Sequence, residues 1–299
     1  MYNRPMFKAG KVAIIGRPNV GKSTLLNVLV KEKVCIVSEK PETTRDNIQG
    51  IISGKDFQIV FMDTPGMHKP KNLLGKTMVR RASSTFPETD LVLVIMDAQR
   101  GITREDRMVF QNLPEEKIKL LLINKMDKID KRMVLPIIEE AQRFSFKEII
   151  PISALKKDGT ELVLTRILEY LPEGCMIFPE DQLSDKNESF FVQEFIREKV
   201  LGLTRQEVPH SVAVSIEEMK EKKSRNGALI YYIRAHIYVE KDSQKSIIIG
   251  RKGQMLKKIG ESSREEIENF LKKKVFLDLW VKVYENWRKD PSALKNLGY

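Results

Sequence analysis

The sequence predicts an α/β domain built on a mixed, mostly parallel six-stranded sheet, followed by a smaller α+β domain. Three observations predict it. First, residues 12–29 run from an apolar stretch through a glycine-bounded turn into an amphipathic helix. Second, from residue 11 to about residue 170, short β-branched runs alternate with helical patterns, the signature of a sheet with helices on both faces. Third, beyond about residue 186 the order becomes helix, two strands, helix, a second glycine turn, helix and strand. A chain of 299 residues suits two domains, since one core rarely grows past about 250–300 residues.

In the first domain the expected strands are residues 12–15, 48–53, 58–62, 91–97, 119–124 and 148–152. Gly54, Lys55 and Asp56 form a hairpin turn that makes one antiparallel pair. After the first strand comes Gly-x-x-x-x-Gly-Lys-Ser, made of Gly16, Arg17, Pro18, Asn19, Val20, Gly21, Lys22 and Ser23, with Thr24 following. The glycines let consecutive N–H groups face phosphate oxygens, and the helix start adds its own donors and partial positive charge. Lys22 would bridge the β- and γ-phosphates, and the Ser23 hydroxyl would ligate Mg²⁺.

The remaining motifs fall at strand C-terminal ends, where open α/β sheets bind ligands. Asp63-Thr64-Pro65-Gly66 offers a carboxylate that can hold Mg²⁺ through water and an amide that can approach a γ-phosphate. In the polar loop before the second strand, Thr44 is the candidate for a further Mg²⁺ ligand, with Thr43 as the alternative; such a loop would be ordered by the γ-phosphate and released on hydrolysis. Asn124-Lys125-Met126-Asp127 selects the base. A carboxylate at Asp127 accepts both N1–H and the 2-amino group of guanine, whereas adenine would leave it unpaired. Ser153, Ala154 and Leu155 follow the sixth strand and can offer amides to guanine O6.

Together these motifs resemble the five G-motifs of translation-factor-related GTPases, so a P-loop GTPase domain with GTP or GDP and Mg²⁺ as ligands is implied. Lys22, Thr44, Gly66 and Asn19 are the candidate catalytic set. In the Ras-like pattern a glutamine after the Asp-x-x-Gly glycine orients the attacking water; here that place is Met67, so slow intrinsic hydrolysis is expected. In potassium-activated GTPases with similar loops, an asparagine matching Asn19 holds K⁺; a loop cap is the alternative role. His68 is read as a solvated side chain with no catalytic role.

Residues 173–188 are expected to be a linker between a first domain at 1–172 and a second at 189–299. The stretch from Leu171 to Lys186 holds two prolines and four acids without sustained period, so it is expected to pack loosely or swing. In the second domain the helix at 190–201, strands at 212–219 and 229–239, a basic loop at 220–226, a helix at 254–270 and a last strand at 275–283 are expected. Gly250-Arg251-Lys252-Gly253, after the apolar run ending at Ile249 and before a helix carrying Lys257 and Lys258, resembles the backbone clamp of a type II KH domain, which grips about four single-stranded nucleotides. Its basic residues would neutralise phosphates and release counterions.

A GTPase domain followed by a single KH domain is similar to the bacterial Era family. The quoted motifs carry the resemblance, with Leu-Pro-Glu-Gly and Phe-Pro-Glu-Asp in the linker and Leu-Trp-Val-Lys-Val near the end. It implies binding of the 3′ end of 16S rRNA, assistance to 30S subunit assembly and peripheral association with the inner membrane. Two other readings are a membrane-associated signalling GTPase and a constitutive RNA-binding module with structural nucleotide.

Composition agrees with a polyanionic partner. The formal charge is +11, shared by both halves, and residues 245–258 hold five basic side chains and no acid. Cys35 and Cys175, the two cysteines, lie far apart and lack metal-ligand spacing. No apolar run approaches the roughly 18 residues needed to span a bilayer, and the first strand follows too early for a signal peptide. A cytoplasmic monomer is therefore expected, peripheral to the membrane at most.

Overall fold

The computed structural model describes residues 6–38, 40, 43–66, 73–84, 86–205, 208–223 and 229–299. They form two compact units. The first carries most of the chain up to Asp185; the second holds Lys186–Tyr299 together with Ser38, Lys40, Thr43, Leu73 and Leu74.

In the first unit the strands are β1 (Lys8–Ile15), β2 (Ile48–Gly54), β3 (Phe57–Asp63), β4 (Leu91–Asp97), β5 (Ile118–Asn124) and β6 (Glu148–Pro151). Their order in the sheet is β2-β3-β1-β4-β5-β6, parallel throughout except for the β2–β3 hairpin. The helices are α1 (Lys22–Val30), α2 (Leu73–Ser84), α3 (Arg104–Gln111), α4 (Val134–Ala141) and α5 (Thr160–Tyr170). Parallel strands covered on both faces must be apolar on both, and every residue of β4 is buried. In α1, Leu25, Leu26 and Leu29 turn inward at helical spacing. β1 starts four residues before the expected strand, because Lys8 to Lys11 pair with Phe57 to Val60.

The stretch after α5 is not loosely packed, contrary to its composition. Ile177 and Phe178 donate backbone N–H to Gln58 Oε1 at 2.7 and 2.9 Å, while Gln58 Nε2 donates to the Phe178 carbonyl at 2.9 Å. Further on, Ile51 N–H donates to the Leu183 carbonyl at 2.9 Å and Ser184 Oγ to the Gln49 carbonyl at 2.6 Å. A side-chain amide fully buried in β3 thus supplies the ladder that the prolines deny this segment.

The second unit contains α6 (Glu188–Leu203), α7 (Val208–Ser211), β7 (Ala213–Lys223), β8 (Leu229–Val239), α8 (Asp242–Ile249), α9 (Gln254–Leu271), β9 (Val275–Val283) and α10 (Pro291–Asn296). Its sheet runs β7-β8-β9, antiparallel then parallel, and the helix and strand order is that of the expected α+β fold. Phe191 and Phe195 of α6 meet Phe270 of α9 with ring centroids 5.2 and 5.3 Å apart. The basic loop expected at 220–226 is strand as far as Lys223: Lys220 pairs with Tyr232, and the Lys222 ammonium lies over the Tyr232 ring, so aromatic partners hold cationic residues in the ladder. Beyond β9, an unexpected closing segment buries Trp287 completely; its Nε1 donates to the Ser211 carbonyl at 2.9 Å. Within this unit the fully buried Arg197 pairs with Glu194 and donates to the Thr43 carbonyl.

Among the described residues no helix is long and apolar enough to cross a membrane.

Candidate functional site

Gly16 to Gly21 connect β1 to α1. Gly21 has φ 105°, and a Cβ there would lie 2.3 Å from Asn124 Nδ2, so only glycine fits. Asn19 takes φ 64° in the same turn. The Lys22 ammonium is buried and donates to the carbonyls of Gly16 and Arg17 at 3.1 and 2.9 Å. Burial lowers the Lys22 pKa to about 8, against the opposing pull of Asp63. Thr24, at the third position of α1, is half-buried.

The three expected Mg²⁺ ligands come together. Ser23 Oγ donates to Asp63 Oδ2 at 2.8 Å and lies 3.0 Å from Thr44 Oγ1. Thr43 Oγ1 instead donates to the Lys40 carbonyl at 2.6 Å, which leaves Thr44 as the hydroxyl beside Ser23. Asp63 is completely buried and its Oδ1 has no hydrogen-bond partner. Burial pushes its pKa up, with Lys22 pulling the other way. Two hydroxyls and a carboxylate with an orphaned oxygen are hard donors that fit Mg²⁺, and a bound dication would reverse the upward shift. At the end of the same strand Thr64 Oγ1 donates to the Ile14 carbonyl at 3.0 Å, and Pro65 leads to Gly66. A Cβ on Gly66 would fall 2.7 Å from Pro18 N, so this glycine also lets the two loops approach.

Asn124 joins three loops: Nδ2 donates to the Val20 carbonyl at 2.7 Å, and Oδ1 accepts from Ala154 N at 2.9 Å. Asp127 Oδ1 accepts from Ser153 Oγ at 2.6 Å, and the Met126 N–H donates to the Ile152 carbonyl at 3.1 Å. Leu155, beside them, is 66% exposed. Lys125 donates to the Asn19 carbonyl at 2.8 Å and to Asp97 Oδ2 at 2.7 Å. Asp97 is a residue that the sequence reading missed, although its place at the end of a central strand was a signal. Met67 and His68 lie outside the described residues.

In the second unit, Ile249 ends α8, and Gly250 and Gly253 have φ 71° and 76°. A Cβ on Gly250 would press on Met255 Cβ at 2.6 Å, whereas one on Gly253 would meet nothing within 4 Å. Arg251, Lys252, Lys257 and Lys258 are exposed around this open turn, and Ile259 anchors α9 inward.

Residues 11–125 match the family model described as a 50S ribosome-binding GTPase, and residues 207–288 that of a KH domain. The GTPase Era of Clostridium botulinum (strain Eklund 17B / Type B) is 48% identical over 296 residues, covering 98% of this chain and 99% of its own. The chain belongs to the Era family. GTPase Era of Ruminiclostridium cellulolyticum is likewise 48% identical, over 98% of each chain. The crystal structure of an Aquifex aeolicus Era variant bound to GDP·AlF4⁻ superposes with a TM-score of 0.94 at 42% identity, covering 98% of this chain and 99% of that one. A solved Era complex with MgGDPNP and nucleotides 1506–1542 of 16S ribosomal RNA gives the same TM-score at 43% identity and the same coverage. The Era fold over both units accords with the P-loop GTPase and KH architecture described above.

Proposed function

We propose that this Era-family protein is a GTP-hydrolysing switch that binds the 3′ end of 16S rRNA and assists 30S subunit assembly in the cytoplasm. The observation that carries the reading is the convergence of Thr44 Oγ1 and Asp63 Oδ2 on Ser23 Oγ, at 3.0 and 2.8 Å, beside the phosphate loop. Mg²⁺, when bound there, neutralises charge on the β- and γ-phosphates. Lys22 leaves the Gly16 and Arg17 carbonyls for phosphate oxygens, the Gly66 amide approaches the γ-phosphate, and Asp127 pairs with the guanine edge. The relatives solved with GDP·AlF4⁻ and with MgGDPNP and 16S rRNA support carrying these ligands over. Gly250 and Gly253 would seat the RNA backbone, with Arg251, Lys252, Lys257 and Lys258 on its phosphates. Attachment to an anionic inner-membrane surface would use the same exposed lysines; vesicle flotation that survives ribonuclease treatment would establish it independently of RNA.

The test is binding of a short oligonucleotide copied from the 3′ end of 16S rRNA, with the protein loaded with GDP or with a non-hydrolysable GTP analogue. Tighter binding with the analogue is expected. Equal binding in both states would leave an RNA-binding GTPase without a switch.

A further inference from the structure

Asp106 lies in the first turn of α3, and its two carboxylate oxygens do different things. Oδ2 accepts from Thr103 N–H at 3.0 Å and from Thr103 Oγ1 at 2.7 Å, while Thr103 Oγ1 accepts from Asp106 N–H at 3.2 Å. This reciprocal pair completes the N-terminal cap of α3. Oδ1 is not needed for the cap. It accepts from Arg17 Nε at 2.7 Å, across 89 residues of chain, and both residues are more than nine-tenths buried.

Arg17 is a residue of the phosphate loop, and its own carbonyl is one of the two that hold the Lys22 ammonium. Its Nη2 is buried without a hydrogen-bond partner, so the guanidinium sits where water does not compensate it. A desolvated charge of this kind is held in place only while its partner remains, because removing one member strands the other. The rigid start of α3 therefore fixes the Arg17 side chain, Arg17 fixes the beginning of the loop, and the loop carbonyls fix Lys22. We propose that Asp106 is a positioning residue for guanine-nucleotide binding, acting through Arg17 to hold the phosphate loop and Lys22 ready for the β-phosphate. The inference rests on the nucleotide reading given above.

Two substitutions separate this role from simple support of the fold. Asp106→Asn places an amide donor against Arg17 Nε or, if turned over, against the Thr103 donors. Release of a fluorescent GDP analogue should then become faster, with affinity about tenfold weaker, while kcat at saturating GTP stays within about twofold. Thr103→Ala removes the cap hydroxyl and leaves Oδ1 on Arg17; it should lower the melting temperature with GDP affinity unchanged. Asp106→Glu retains the charge and should recover part of the lost affinity. If Asp106→Asn does not fold, Arg17→Lys carries the same measurement, since it keeps the charge and loses the Nε donor. Wild-type GDP affinity in Asp106→Asn, or in Arg17→Lys where that variant stands in, would overturn the proposal. So would equal weakening by Thr103→Ala. If the unaltered protein bound no guanine nucleotide, the nucleotide reading itself would fall, and the positioning role with it.

Discussion

On the proposed function, Asp127 and Lys22 would each set ligand chemistry as a single side chain. Asp127 keeps its carboxylate oriented by Ser153 Oγ at 2.6 Å, with the side chain otherwise open to a base. Asp127→Asn would place a donor against the N1–H and 2-amino groups of guanine, and GTP affinity should fall by about a hundredfold. Xanthine, with a carbonyl where guanine has its amine, should then compete better than guanine. Unchanged preference for GTP in that competition would remove the base-reading role. Lys22 adds a pH dependence. Its pKa of about 8 belongs to the ligand-free site, and phosphate binds the charged form. GDP affinity should therefore be flat below about pH 8 and fall as the pH rises above it, as titration of the dissociation constant from pH 7 to 9.5 would register. Stability runs the opposite way: the penalty for burying the charged lysine is full below about pH 8 and fades between there and its ordinary value of 10.5. An affinity that did not change across pH 8 would mean that Lys22 does not carry phosphate binding.

At the scale of elements, the two glycines of the turn between α8 and α9 have separate duties that a Gly-x-x-Gly pattern cannot distinguish. Gly250 is excluded from bearing a side chain by Met255; Gly253 is open to solvent and needs only its φ of 76°. Gly253→Asp should therefore fold, at the cost of backbone strain, and should reduce RNA affinity at least about tenfold by setting a carboxylate beside Arg251 and Lys252. GTP turnover should stay intact; equal loss of both activities would refute the division of labour. What was legible in the sequence follows the same line between local and distant. Strand-end motifs are local, so the phosphate loop, Asp63, Asn124 and Ser153 could be found by spacing. The choice between Thr43 and Thr44 depended on which hydroxyl reaches Ser23, and the partners of Asp97 and Asp106 lie 28 and 89 residues away. β7 ran past its expected end because Tyr232 pairs with a lysine. α10 had its signals, an Asp290 cap and Pro291 at the first turn, yet is too short for periodicity to register.

For the whole molecule, a charge of +11 would give RNA a non-specific attraction that should weaken steeply with salt, while on the proposed function the open glycine turn would supply a local grip. The hydrogen bonds that residues 183–185 make along β2 have a further consequence. β2 is the outermost strand of its sheet, and Ile51 N–H and the Gln49 carbonyl are occupied by Leu183 and Ser184. A fragment cut after residue 172 would keep every nucleotide motif and lose this cover, leaving a bare strand rim of the kind that templates aggregation. It should elute as concentration-dependent oligomers on size exclusion, whereas a fragment ending at residue 185 should remain monomeric. A protease nick within 173–185 would then make the sheet of the first unit sticky, so the segment leading to the second unit also protects that sheet from its own copies.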